Sequence, residues 1–254
     1  MRHLALVALL ACGKREQAAP AAGSSVPQQP AKTESIALPI ATGDPVGTAT
    51  TFLRYTDGKL VEIDKASIFG DRSKPFHGID PSGTLTSAAN GFMLAGAHEP
   101  FPMASPTAVF IDRATSAAEV RAVLGAELRG RCWGFAVADH GKLELLEPNP
   151  CPPDARAHSE VNLDLFLTTS GKAAAKLSNS PDITPLATGD ALSAYLAEQK
   201  ATPFFGNRTD LSLAFDTDAT ITTVVDAIAR AYRAGFVSAA WAKTASAELR
   251  EATR

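Results

Sequence analysis

The clearest periodic stretch of the chain runs from Leu211 to Trp241. Leu211 to Phe215 alternates apolar side chains with small or polar ones, the period of a half-buried strand, and Asp216 to Thr220 is polar. Ile221, Val224, Val225, Ile228 and Tyr232 then recur at the spacing of one helical face, with Asp226 and Arg230 elsewhere around the helix. Thr220 is placed as an N-cap, Gly235 as the left-handed residue that stops the helix, and Val237 to Trp241 as an extended run. This pattern predicts a complete β-α-β module.

Moved back by 104 positions, the pattern returns. Asp112 then matches Asp216, Ser116 matches Thr220, Val120 matches Val224 and Leu124 matches Ile228. Ser116 followed three residues later by Glu119 has the form of a capping box, in which each side chain satisfies a backbone amide that the helix leaves orphaned. Upstream of each module a Gly-containing turn, Thr56-Asp57-Gly58-Lys59 or Thr169-Ser170-Gly171-Lys172, separates two candidate strands. Repeated hairpins before repeated modules imply duplication.

The remaining segments fit that frame. Thr51 to Tyr55 and Lys59 to Ile63 form the first hairpin, and Cys132 to Ala138 returns through Asp139-His140-Gly141 into Lys142 to Leu146. Residues 64–106 carry many Gly and Pro residues and read as a long loop with a short strand, the first helix of the unit being lost or reduced. In the second half, Val161 to Leu167 pairs with Lys172 to Leu177, an arm weakened by Ala173, Ala174 and Ala175. Asp190 is a candidate cap for a helix from Ala191 to Gln199, and residues 242–254 read as a short helix or a frayed tail. The expected fold class is α+β: two tandem small units with mixed β-sheets and helices, each containing a β-α-β module. The first spans residues 40–148, the second 161–254, and 149–160 link them.

The N-terminus has a different character. Met1-Arg2-His3 is a basic start, and Leu4 to Ala11 is an apolar run far too short to cross a membrane as a retained helix. Leu9-Leu10-Ala11-Cys12 resembles the lipobox of bacterial lipoproteins, which implies a signal peptide over residues 1–11, cleavage before Cys12 and a lipid anchor on that cysteine. Residues 13 to about 36 are rich in Ala, Pro, Gln and Ser and have almost nothing large and apolar to bury, so residues 12–39 are expected to be anchor and disordered tether. Over the 254 residues, a net charge of −3 with 20% charged residues argues against dedicated nucleic-acid binding, which needs a concentrated basic face. With Cys12 consumed by lipid, Cys132 and Cys151 flank one hairpin, and an exported location permits a disulfide between them.

Candidate chemistry is sparse. The chain contains no HExxH, G-x-S-x-G, P-loop or dinucleotide-binding glycine pattern. His98-Glu99 and His158 with Glu160 are isolated pairs, more simply loop polarity than metal ligands. Asp112 and Asp216 occupy matching strand ends and are the candidate equivalent surface positions, although a polar junction before a helix accounts for both. Trp133, Trp241 and Tyr232 either border an interface or pack in the core. No cofactor is implied.

The second half is similar to the periplasmic domain of the ExbD/TolR family. The likeness lies in the hairpin, the intervening helix, the LSLAFD strand with Asp216, the amphipathic helix and the Arg233-Ala234-Gly235-Phe236 turn; it covers about residues 161–242, and 48–138 less closely. The resemblance implies a homodimerising domain outside the inner membrane that serves a proton-driven motor or contacts the cell wall. Such proteins carry an N-terminal membrane helix with a motor aspartate, and this chain has no position onto which that aspartate can be carried. The expected function is therefore a non-enzymatic cell-envelope lipoprotein that binds a protein partner or peptidoglycan on the periplasmic face of a membrane, with the outer membrane favoured. It would be accessory to an envelope energy-transduction or transport complex. A small-ligand-binding protein or an envelope hydrolase is the alternative.

Cys12→Ser should release the protein from membranes without detergent, or block its processing. Intact-mass measurement of the wild-type protein should show cleavage before Cys12 and an acyl adduct, against an uncleaved, unmodified N-terminus if the reading is wrong.

Overall fold

Two hairpins turn where both loop residues take positive φ, the backbone of a tight type I′ turn: Asp57 and Gly58 at 48° and 75°, His140 and Gly141 at 47° and 79°. Around such turns a computed structural model describes residues 34–46, 49–65, 68, 79–87, 106–148, 162–206, 210–236, 238–241 and 245–254, all within one body, Ala31–Arg254. The strands in chain order are β1 (Ser35–Ala37), β2 (Asp44–Pro45), β3 (Thr51–Thr56), β4 (Lys59–Glu62), β5 (Thr84–Thr86), β6 (Thr107–Phe110), β7 (Trp133–Asp139), β8 (Lys142–Leu146), β9 (Leu163–Leu167), β10 (Ala173–Leu177), β11 (Ile183–Leu186), β12 (Asp210–Phe215) and β13 (Ser238–Trp241). The helices are α1 (Ala117–Glu127), α2 (Gly189–Ala201), α3 (Pro203–Gly206), α4 (Ile221–Arg233) and α5 (Ala247–Glu251).

The fold is α+β with two similar mixed sheets. One has six strands in the order β2-β8-β7-β6-β3-β4, the other five in the order β11-β10-β9-β12-β13. Within them, β7-β6-β3-β4 and β13-β12-β9-β10 are the same arrangement: two parallel pairings followed by an antiparallel hairpin. Thr107 lies opposite Trp133, whereas Leu211 lies opposite Ala239. The returning strand is thus displaced by two residues, the difference between the 13 residues of α4 and the 11 of α1, and the counterpart of Phe135 is Trp241.

Strand alternation divides the core. Leu53, Val109, Ile111, Phe135 and Val137 face Leu165, Leu213, Val224, Ile228 and Ala239 in one interior shared by both units. Phe52, Ala108, Phe110 and Ala136 point the other way, under Ile36, Leu38 and Leu85 of the β1–β5 ribbon and its flank. The outer face of the second sheet, Phe166, Ala174 and Ala214, is covered by Leu249 of α5. The three alanines of β10 suit this tight packing between layers; they were expected to weaken the strand.

The helix starts depart from expectation. Neither Ser116 nor Thr220 makes a side-chain cap, so the capping box does not form. Instead the two N-termini meet: Ala117 N donates to Ala219 O at 2.8 Å, Ile221 N donates to Thr115 O at 3.0 Å, and Ser116 bridges Thr220. Each helix satisfies an orphan amide with the carbonyl of the residue before the other's cap. Thr188, two residues before the expected Asp190, caps α2 through Ala191 N at 3.2 Å.

Other expectations are corrected. Chain assigned to the tether is folded from Ser35, because Ile36 and Leu38 are buried and Arg54 pairs with Glu34 at 2.6 Å. Cys132, 5% exposed before β7, is the one described cysteine and is disulfide-bonded, while Cys12 and Cys151 lie outside the described residues, so no bridge between two described cysteines is found. The partner named for it in the expected Cys132–Cys151 bridge lies outside the described residues. The linker 149–160, residues 1–33 and most of 64–106 also lie outside them. Among the described residues no helix is long and apolar enough to cross a membrane.

Two glycines separate packing from propensity. A Cβ on Gly125, in α1, would meet nothing within 4 Å, whereas one on Gly134 would fall 2.8 Å from Leu145 Cγ and 3.0 Å from Leu146 O. Gly125→Ala should stabilise by about 1 kcal/mol, and Gly134→Ala should cost roughly 1–3 kcal/mol. Urea unfolding at constant m-value measures both.

Candidate functional site

A cleft of about 180 Å³ opens beside the start of α1 and the end of β12. Its walls come from both units. The first turns of α1 supply Ala117, Ala118 and Arg121, the end of β12 supplies Phe215, Asp216 and Thr217, and Trp241 and Arg250 come from β13 and α5. Period-2 alternation turns Leu213 inward and leaves Phe215 half-buried at the strand end, where Trp241 packs edge-on against it with ring centroids 5.9 Å apart. Arg121 lies one turn beyond Ala117 on α1 and so reaches the same mouth. The lining thus holds two guanidinium groups, one carboxylate and two aromatic rings.

Asp216 accepts Thr217 N at 2.8 Å through its own Oδ1. Asp112, at the matching strand end, accepts Ala114 N at 2.9 Å and Ala37 N at 3.3 Å. Of the two candidate aspartates, each shortly after the central strand of its unit, Asp216 is the one that lines the cleft. Both tryptophans pack on the shared core, Trp133 edge-on to Phe135 at 5.1 Å and Trp241 tilted to the same ring at 6.3 Å. His98, Glu99, His158 and Glu160 lie outside the described residues. Among the described residues no three His, Cys, Asp or Glu side chains are grouped as metal ligands.

Sequence reasoning missed Arg121, Phe215, Thr217 and Arg250. Arg121 stands at a position whose counterpart is the buried Val225, so a charge replaces an apolar side chain in an otherwise repeated helix. That mismatch was the available signal. Arg250 had none, since its place follows from where α5 docks.

A second feature ties the units together behind this face. Tyr232 of α4 donates its hydroxyl to Glu147 O, and Ala239 N donates to Pro148 O at 2.8 Å, so the chain leaving β8 straps the edge of β13. Burial raises the Tyr232 hydroxyl pKa, with the negative charges of Glu147 and Asp44 adding to it. Glu147 is itself held above its ordinary value, first by desolvation and then by Asp44.

Compared with known proteins, the chain matches no family model, no curated protein and no solved structure.

The Glu147 shift fixes a sign. A carboxyl whose folded pKa is raised keeps its proton while the unfolded chain loses it, so folding stability falls as pH rises from about the ordinary value of 4.5 through the raised one. Glu147→Gln should remove that decline and be the more stable protein at pH 7, while matching wild type near pH 4. Melting temperature against pH for the two proteins measures this.

Proposed function

We propose that this protein is a non-enzymatic binding component of the bacterial cell envelope, held to a membrane by lipid on Cys12, whose paired α+β units recognise a protein partner or the cell wall. The carrying observation is the cleft built jointly by the two units, with Arg121 and Arg250 beside Phe215 and Trp241. Arginine and aromatic side chains are the types that supply most of the energy of recognition surfaces, the first by directed hydrogen bonds and the second by large rigid apolar area. Size favours a partner over a free small molecule, because about 180 Å³ falls below the roughly 300 Å³ at which ordinary ligand pockets begin. The lipobox-like start supplies location and the Pro/Ala/Gln-rich segment supplies reach. The resemblance to the ExbD/TolR family supports an accessory role in an envelope energy-transduction or transport complex, with homodimerisation as a further expectation.

Crosslinking in intact cells, followed by pull-down of the lipidated protein and a parallel assay on purified peptidoglycan, tests this. Specific recovery of an envelope complex or of cell wall, reduced by Arg121→Glu with Arg250→Glu, is the expected outcome. Recovery of neither, together with turnover of a defined substrate, would overturn it.

A further inference from the structure

The short helix α5 carries three charged side chains, and two of them are paired: Glu248 with Lys176 at 2.5 Å and Glu251 with Arg254 at 3.0 Å. The third is left over. Arg250 is exposed, lines the cleft and makes no ion pair or side-chain hydrogen bond with any described residue. Leu249, beside it, is buried with Phe166, Ala174 and Ala214 of the second sheet. The guanidinium is thus carried on a docked element.

Asp216 has the complementary property. In the first unit Asp112, shortly after β6, engages both carboxylate oxygens with backbone amides: Oδ1 accepts Ala114 N at 2.9 Å and Oδ2 accepts Ala37 N at 3.3 Å. Asp216, shortly after β12, is half-buried and accepts Thr217 N at 2.8 Å through Oδ1, whereas among the described residues its Oδ2 accepts nothing. Asp216 and Arg250 line one cleft of about 180 Å³, yet they are not paired with each other. Phe215 and Trp241, with ring centroids 5.9 Å apart, line it too, and the small side chains of Ala117 and Ala118 leave room beside them. Arg121 is already engaged and is not needed for this arrangement.

A carboxylate oxygen and a guanidinium that share a small cleft without meeting suit a ligand that brings a charged donor to the first and a charged acceptor to the second. We infer that the cleft binds the zwitterionic head of an α-amino acid, its ammonium on Asp216 Oδ2 and its carboxylate on the Arg250 guanidinium, with the first carbons of its side chain against Phe215 and Trp241. A planar guanidinium matches a carboxylate through two parallel N–H bonds, and the aromatic rings add attraction for an ammonium. Size agrees, because 180 Å³ is room for about six waters at roughly 30 Å³ each. The cleft therefore holds the head and leaves the rest of a longer side chain outside. A free amino acid and the same group at the end of a cell-wall peptide present this chemistry alike. The inference deepens the binding function proposed above and rests on it.

Isothermal titration calorimetry on the full-length chain carrying Cys12→Ser tests this with three ligands: norleucine, pentylamine, which is norleucine without its carboxylate, and hexanoate, which is norleucine without its ammonium. Norleucine should bind saturably, and each single-charge analogue at least about tenfold more weakly, the loss expected for one charge-assisted contact. Asp216→Asn should weaken norleucine but not hexanoate, and Arg250→Gln should weaken norleucine but not pentylamine. A folding defect cannot produce that crossed pattern, and the comparison of the three ligands on the unsubstituted cleft decides the matter whether or not a variant folds. Absence of saturable norleucine binding at about 1 mM, or equal affinity for norleucine and either analogue, would overturn the inference. Displacement of the protein from purified peptidoglycan by norleucine would support a cell-wall peptide as the source of the head group, and norleucine binding without retention on peptidoglycan would support the free amino acid. Recovery of an envelope complex or of cell wall without norleucine binding would remove the amino-acid site alone. Norleucine binding without any envelope partner would remove the envelope reading alone.

Discussion

The exchange of backbone hydrogen bonds between the starts of α1 and α4 is the constraint on which the rest of the molecule depends. A helix leaves its first amides without internal partners, and burying one unpaired costs about 1–3 kcal/mol. Here Ala117 and Ile221, both buried, donate to Ala219 and Thr115 of the opposite unit. Two positive helix ends would repel if left facing each other, but the carbonyls of Thr115 and Ala219 lie between them, and the carboxylates of Asp112 and Asp216 stand at the adjoining strand ends. Neither helix start is complete without the other.

That contact joins like to like. Ser116 bridges its counterpart Thr220, and Phe135 meets its counterpart Trp241, so the two units associate as the halves of a two-fold dimer do, within one chain. The inner faces of both sheets then merge into one core, which holds Leu53, Val109 and Phe135 together with Leu165, Leu213 and Ile228. A dimer of identical subunits would have to repeat every feature twice. A duplicated chain is free of that rule, and here the outer face of one sheet is covered by β1, β5 and their flanks while the other is covered by α5. The lining of the cleft shows that asymmetry, with Arg121 standing where the other unit has the buried Val225 and Arg250 arriving on α5.

Much of the fold was legible because it is local. Alternation in Leu211 to Phe215 and the spacing of Ile221, Val224, Val225 and Ile228 reflect burial of one face, and burial of one face is what a strand or helix needs. Asp57-Gly58 and His140-Gly141 marked turns because few other pairs tolerate two positive φ values in succession. The 104-residue offset carried the duplication, and the shared strand order followed from it. Asp216 was legible as a candidate through its matching position, though its role in the cleft was not.

What only the tertiary structure decided lies where the partners are distant in sequence. Ser116 and Glu119 have the form of a capping box, yet Ala117 N takes a carbonyl 102 residues away, because a buried backbone acceptor from the other unit competes with a side chain that must be ordered to serve. The Ala- and Pro-rich stretch looked like tether up to residue 39, but Ile36 and Leu38 find an apolar face that exists only once β3, β6 and β7 are assembled. The cleft joins α1, β12, β13 and α5, so its arginines and aromatics carry no common spacing. Periodicity records which face of an element is buried. It does not record what buries it.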